Sequence, residues 1–147
     1  MMQDLHVKIV RNGAKLPTYG TEFAAGADLY ACLEETVTVK PHETRLIPIG
    51  IAMEIPVGWA GFVYARSGLA LKRHLAPANK VGVIDCDYRG EIFVPMHNHS
   101  EEDQIIDPGE RIAQMIFAPY FTANFVQTQE LSETIRSEGG FGSTGTK

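Results

Sequence analysis

The sequence predicts an all-β fold, a sandwich, barrel or jelly roll, from three observations. Short runs rich in β-branched and aromatic residues recur between clusters of Pro, Gly, Asn and Asp. No amphipathic helix longer than about three turns can be drawn anywhere along the chain. Residues 111–118 alternate strictly, with Ala113, Met115 and Phe117 on one face and Ile112, Gln114 and Ile116 on the other.

Taken in order, Val37-Thr38-Val39-Lys40 alternates and stops at Pro41, which cannot donate to a ladder. Residues 45–55 form a β-branched run with Pro48 inside it and Pro56 closing it. Residues 59–65 carry Trp59, Phe62 and Tyr64 and predict a further strand. Residues 67–74 are the best helical candidate, short and opening on a serine suited to an N-cap. Residues 79–91 read as a hairpin, with Gly82 and Gly90 allowing close backbone approach, and residues 91–96 as a strand. The expected organisation is a single β domain over residues 1–135 and a flexible Gly-rich arm over residues 136–147.

At 147 residues the chain is long enough to bury a core without staples. Its 44% apolar and 21% charged residues are those of an ordinary globular protein. A net charge of −5 argues against a general nucleic-acid binder, and no apolar run reaches membrane-spanning length. Neither nucleic acid nor membrane is an expected partner. Cys32 and Cys86 provide no disulfide framework and no zinc spacing, and Met1-Met2-Gln3-Asp4 lacks a signal peptide's pattern. The expected compartment is the cytoplasm.

Five stretches carry candidate chemistry. Ala25-Gly26-Ala27-Asp28-Leu29-Tyr30-Ala31 sets one acid among small residues, at a strand edge or turn. Arg66-Ser67-Gly68 sits where a strand meets the helix candidate, so unpaired amides, a hydroxyl and a guanidinium point one way. In Val81-Gly82-Val83-Ile84-Asp85-Cys86-Asp87-Tyr88, Asp85 follows apolar residues; partial burial would raise its pKa toward that of a general base. Cys86 reads as a small filler. Gln114 lies between isoleucines and needs either a buried carbonyl or a ligand as partner. The final stretch, Arg136 to Lys147, combines four glycines with Arg136, Phe141, Ser143 and Thr144, a set suited to phosphates and a flat base. His97 and His99 read as loop residues rather than a metal pair, because no third ligand lies nearby.

In this order the five stretches resemble the five motifs of the trimeric dUTPases, from Ala25 to Gly145. The resemblance implies a jelly-roll-like β subunit, a homotrimer, and Mg²⁺-dependent hydrolysis of dUTP to dUMP and pyrophosphate. That reaction limits uracil incorporation into DNA and supplies dUMP for thymidylate synthesis. It further implies sites built from three subunits, with the C-terminal arm closing over a neighbour's nucleotide. Position by position, Asp85 matches the acid that activates the attacking water, and Asp28 the acid that holds the site and the metal's water shell. Arg66, Ser67, Gly68 and Gln114 match phosphate contacts. Asn79 and the backbone of Gly82, Val83 and Ile84 match the segment that reads uracil, and Tyr88 matches the ring that packs on deoxyribose. Phe141 and Gly142 match the arm's stacking element, while Arg136, Ser143 and Thr144 match its γ-phosphate grip. One departure is visible: Ser137 stands where the arm usually has glycine after its arginine. The related dCTP deaminases would lack the Gly-rich arm, and a purely regulatory dUTPase-like module would not need Asp28, Asp85 and the full arm.

Overall fold

Runs this short, broken by proline and glycine, cannot sustain long elements. The computed structural model describes residues 4–140 and contains one helix, α1 (Ser67–Arg73), among short antiparallel strands. The largest sheet has the order β2 (Thr18–Tyr19), β3 (Ala27–Tyr30), β12 (Arg111–Pro119), β7 (Trp59–Ala65), β9 (Gly82–Ile84). A second sheet runs β5 (Thr44–Pro48), β10 (Phe93–Asn98), β8 (Leu75–Pro77). Two strand pairs complete the body: β1 (His6–Ile9) with β6 (Ile51–Glu54), and β4 (Val37–Val39) with β11 (Gln104–Ile106). Among the described residues no sheet closes into a barrel, so the all-β expectation holds in its open, jelly-roll-like form. Among the described residues no helix is long and apolar enough to cross a membrane.

The sheets share one core, in which Leu29, Ile47, Ile51, Leu75, Ile106 and Met115 are fully buried. Each such side chain contributes roughly 1.5–3 kcal/mol on burial. One polar side chain enters this core at no cost in unmade hydrogen bonds. Asn98 donates to the carbonyls of Val39 and Glu102 and accepts from the amide and hydroxyl of Ser100.

Four sequence expectations need correction. The 45–55 run is two strands in different sheets, because Pro48 lacks a donor and Gly50 turns the chain at φ 77°. Residues 79–91 do not fold back as a hairpin; β9 pairs with β7, and the chain beyond it forms a turn at Asp85 to Tyr88. The strand expected at residue 91 begins at Phe93, since Ile92 uses its amide on Ile51 across the junction of β5 and β6. Finally, β11 forms where the sequence reading proposed no strand, between the strands expected at 91–96 and 111–118. The helix matches its expected span to one residue, ending where His74 takes up a left-handed C-cap at φ 53°.

Gly50 is tightly enclosed: a Cβ there would meet Ala14 Cβ at 2.7 Å and Cys32 Sγ at 2.8 Å. Gly50→Ala combines a disfavoured φ with overpacking and should cost about 2–4 kcal/mol in chemical denaturation.

Candidate functional site

The site is built on β12, the strand that β3 and β7 flank. Asp28 on β3, Gln114 on β12 and Tyr64 on β7 stand opposite one another in register, so their side chains share one face of the sheet. Asp28 is not in a turn, as its small neighbours suggested, but inside a strand. It is 8% exposed, and small neighbours are what a covered strand requires.

A β-bulge decides which β12 residues join it. Between Arg111 and Ala113 the strand advances two residues while β3 advances one, from Tyr30 to Leu29. Ile112 is the extra residue, and with Ala113 it is buried in the core. The strict alternation read from sequence put Ile112 beside Gln114; the bulge puts Arg111 there instead.

The consequence is a charge network. Arg66 Nε donates to Asp28 Oδ1 at 2.8 Å, and Arg111 Nη1 donates to Asp28 Oδ2 at 3.2 Å. Arg66 Nη1 also donates to the backbone carbonyl of Arg111 at 3.3 Å. Arg66 is therefore oriented from two sides by one carboxylate and one carbonyl of the bulge. Arg73 at the end of α1 bonds Glu110 and the carbonyl of Ile105, tying the helix to the turn before β12. Arg111, Arg73 and Glu110 were not legible as site residues, since nothing in periodicity announces a bulge.

Gln114 answers its question directly: Nε2 donates to the carbonyl of Ala65 at 2.9 Å, fixing the chain just before Arg66. Its amide lies over Gly26, where a Cβ would come within 3.0 Å of Gln114 Cδ. Ser67 is the first helical residue rather than the cap; Arg66 holds the N-cap position, and no side chain caps the helix. Asp28, Arg66, Ser67, Gly68, Arg111 and Gln114 line one cleft of about 510 Å³ with Lys72, Arg73 and Glu110.

The remaining candidates gather elsewhere. Val83, Ile84, Asp85 and Tyr88 line a smaller cavity of about 220 Å³ with Glu91, Ile92 and Phe93. The two cavities share no lining residue. Asp85 is exposed, contrary to the burial its apolar predecessors suggested, because β9 is an edge strand and Asp85 follows its last residue. Tyr88 is 44% exposed, its hydroxyl donating to the carbonyl of Glu91 at 2.8 Å. Asn79 is exposed in the turn before β9, its amide nitrogen close to Gly82. Cys86 is half-buried and shares a hydrogen bond with the Tyr120 hydroxyl at 3.3 Å.

Arg136 lies beyond the sheets, its Nε bonding the carbonyl of Gly139 at 2.8 Å. Ser137 takes φ 45°, a left-handed conformation that glycine adopts without strain. Phe141, Gly142, Ser143 and Thr144 lie outside the described residues. His97 is on β10 rather than in a loop and shares a hydrogen bond with Thr44 Oγ1 at 2.8 Å. Its ring meets that of His99 edge-on at 4.5 Å. Burial, then the adjacent His97, pushes the His99 imidazole below the usual histidine range.

Gly26→Ala should displace the Gln114 amide and cost about 1–3 kcal/mol in urea denaturation. Shortening the side chain it collides with, in Gly26→Ala/Gln114→Ala, should recover part of that loss.

A family model described as dUTPase matches residues 12–145. The deoxyuridine 5'-triphosphate nucleotidohydrolase of Desulfitobacterium hafniense is 50% identical over 149 residues, covering 98% of this chain and 99% of that one. The enzyme of the same name from Syntrophotalea carbinolica is 48% identical over 141 residues, covering 96% of each. Among solved structures, the Staphylococcus bacteriophage 80alpha dUTPase with dUpNHpp superposes with a TM-score of 0.85 at 29% identity, covering 98% of this chain and 99% of that one. Matched over nearly its whole length by sequence and by fold, this chain belongs to the dUTPase family.

Proposed function

We infer that this protein hydrolyses dUTP to dUMP and pyrophosphate. The observation that carries the reading is the sorting of charge on an acidic chain. Net charge is −5, yet in the larger cleft Arg66, Lys72, Arg73 and Arg111 outnumber Asp28 and Glu110. Such a cleft concentrates an anion, and a triphosphate fits its fork-shaped donors. The smaller cavity offers what a nucleoside needs: an aromatic ring at Tyr88, apolar walls and the open backbone of β9, an edge strand.

In this reading Arg66, Ser67, Gly68 and Gln114 hold the phosphates, with Asp28 and Arg111 fixing the angle of Arg66. Asp85, exposed and facing the nucleoside cavity, takes the proton of the water that attacks the α-phosphorus. Asn79 and the β9 backbone read the uracil edge, and Tyr88 packs against deoxyribose. Phe141 and Gly142 stack on the base, and Arg136, Ser143 and Thr144 grip the γ-phosphate. Mg²⁺ is the proposed cofactor, and the donor chemistry fits an ion carried on substrate oxygens and water. Among the described residues no group of three or more His, Cys, Asp and Glu can hold a metal, and both Asp28 oxygens already accept from arginines. When bound it neutralises phosphate charge; Asp28 would meet its water shell.

We further propose a homotrimer with shared sites. Two features support it: the phosphate cleft and nucleoside cavity of one chain share no lining residue, and large apolar residues beyond β12 are left exposed. Phe125 is 95% and Leu131 88% exposed, surface that a second copy would cover. The single domain is proposed to span residues 1–135, with 136–147 as its Gly-rich C-terminal arm, and the free thiols Cys32 and Cys86 suit the cytoplasm.

Pyrophosphate release from dUTP and the four common dNTPs, with and without Mg²⁺, tests the activity; release from dCTP in preference to dUTP would refute it. Asp85→Asn should keep dUTP affinity and lower kcat by about 10²-fold or more, since an amide cannot accept the proton. Near-normal turnover would remove Asp85 from the chemistry. Mixing Asp85→Asn chains with chains truncated after Arg136 should restore activity if sites are shared. A mixture that exchanges subunits yet stays inactive would count against sharing.

A further inference from the structure

Arg11 lies outside every stretch that the resemblance covers, yet its side chain ends beside the nucleoside cavity. Its Nε donates to Glu91 Oε1 at 2.8 Å and its Nη2 to Glu91 Oε2 at 2.9 Å, a two-pronged pair across 80 residues of sequence. Glu91 lines the same cavity as Asp85 and Tyr88. We propose that Arg11 is a specificity-determining positioning residue: by gripping the Glu91 carboxylate it fixes the Gly90-Glu91 backbone on which the Tyr88 ring is seated, and so sets how strictly the site excludes a 2′-hydroxyl. The proposal rests on the reading of Tyr88 as the ring that faces the sugar.

The ring is seated from two directions. Its hydroxyl donates to the Glu91 carbonyl at 2.8 Å. Its edge lies flat on Gly90, where a Cβ would fall 2.6 Å from Cζ and 2.9 Å from Cε2. Nothing larger than glycine fits beneath it, so a shift of the Gly90-Glu91 backbone carries the ring along. A steric gate is sensitive to such shifts, because overlap energies rise steeply over tenths of an ångström.

The grip itself is anchored to the core. Beside the Arg11 bonds, the nearby Gly50 amide adds a smaller pull that lowers the Glu91 pKa. The amide of Val10, next to Arg11, donates to the Gly50 carbonyl at 2.9 Å. The amides of Ile49 and Ile92 bond the Ile92 and Ile51 carbonyls, so the chain neighbours of both Arg11 and Glu91 are tied to the junction of β5 and β6 around the left-handed Gly50. The Glu91 side chain is only 17% exposed against 45% for Arg11, so the carboxylate is partly withdrawn from water and depends on its partners.

That dependence has a pH signature. The Arg11 hydrogen bonds hold the Glu91 carboxyl below the usual glutamate range, against a smaller opposing effect of burial. Glu34 and Cys32 face Arg11, Cys32 also neighbours Glu91, Asp85 lines the shared cavity, and Arg89 is turned to Glu54 at 3.9 Å. A depressed carboxyl keeps its contribution at neutral pH and loses it as pH falls through the folded-state value. Sugar discrimination in the wild type should therefore weaken as pH falls through that value, whereas without Arg11 the carboxylate has no grip to lose and the pH dependence should disappear.

The test compares kcat/KM for dUTP, UTP and dCTP on full-length wild type, Arg11→Met, Arg11→Lys, Glu91→Gln, Tyr88→Phe and Tyr88→Ala. Arg11→Met should lower the dUTP:UTP ratio about tenfold, leaving dUTP over dCTP unchanged and kcat for dUTP within about threefold. Arg11→Lys, with a charge but no fork, should recover part of the ratio, and Glu91→Gln should fall between. Tyr88→Phe, which deletes only the hydroxyl's tie to Glu91, should loosen discrimination in the same direction. An Arg11→Met chain that fails to fold leaves Arg11→Lys and Tyr88→Phe to decide, and wild-type ratios in both would overturn the proposal. A lowered ratio in Tyr88→Ala alone, with Arg11→Met and Glu91→Gln at wild-type values, overturns the role of Arg11 and keeps that of the ring. An unchanged ratio in Tyr88→Ala overturns the sugar-facing reading and this proposal with it.

Discussion

One extra residue in β12 governs how charge and apolar surface are sorted between the faces of the largest sheet. Ile112 has no opposite number on β3, so Arg111 rather than Ile112 falls on the face that carries Asp28 and Gln114. The same irregularity turns the Arg111 carbonyl toward Arg66. From it follow the two-sided hold on Arg66, the engagement of both Asp28 oxygens by guanidiniums, and the burial of Ile112 beside Ala113. A regular strand would place an isoleucine in the cleft and a guanidinium in the core. Bulges are over-represented beside functional sites for this reason: they re-aim a side chain without remaking a fold.

The electrostatics of the cleft follow from pairing rather than from excess. Asp28 and Glu110 do not cancel the surrounding cations so much as orient them, leaving Arg66 with free donors and a fixed plane. Preorganisation of this kind costs nothing at the moment a phosphate arrives, which is where such sites gain most over water. The nucleoside cavity is organised differently. There the determinants are glycine contacts and one tyrosine, with Gly90 beneath the ring and Gly82 against Val63 and Asn79. In the proposed reading, one half of the site selects by charge and the other by shape.

Beyond Pro119 the chain departs from the sheets and leaves Phe121, Phe125, Val126, Leu131 and Ile135 in the open. Apolar side chains in that number are costly in water, and an assembly that covers them gains what the isolated chain forgoes. The division of the site into two cavities and the exposure of this segment both accord with the proposed homotrimer, in which another copy would finish these surfaces.

The sequence by itself determined a good deal. Strand-length runs, proline stops and the lack of long helical periodicity dictate an all-β class, because those signals act within a few residues. The ordered motifs single out Asp28, Arg66, Ser67, Asp85, Tyr88 and Gln114 through their resemblance to the family's five, and that signal lies in the chain itself. Helix α1 was legible almost to the residue, as its ends depend on local backbone groups. What only the tertiary structure decided is relational. The break at Gly50 depends on Cys32 and Ala14 closing around it, and the exposure of Asp85 on β9 lying at a sheet edge. The partners of Gln114 and Asp28 depend on the register of β3, β12 and β7. The bulge at Ile112 and the reach of Arg11 to Glu91 join residues far apart in the chain. No local preference encodes them; they exist because packing these sheets over one core leaves a single register in which the apolar residues are buried and the charges find one another.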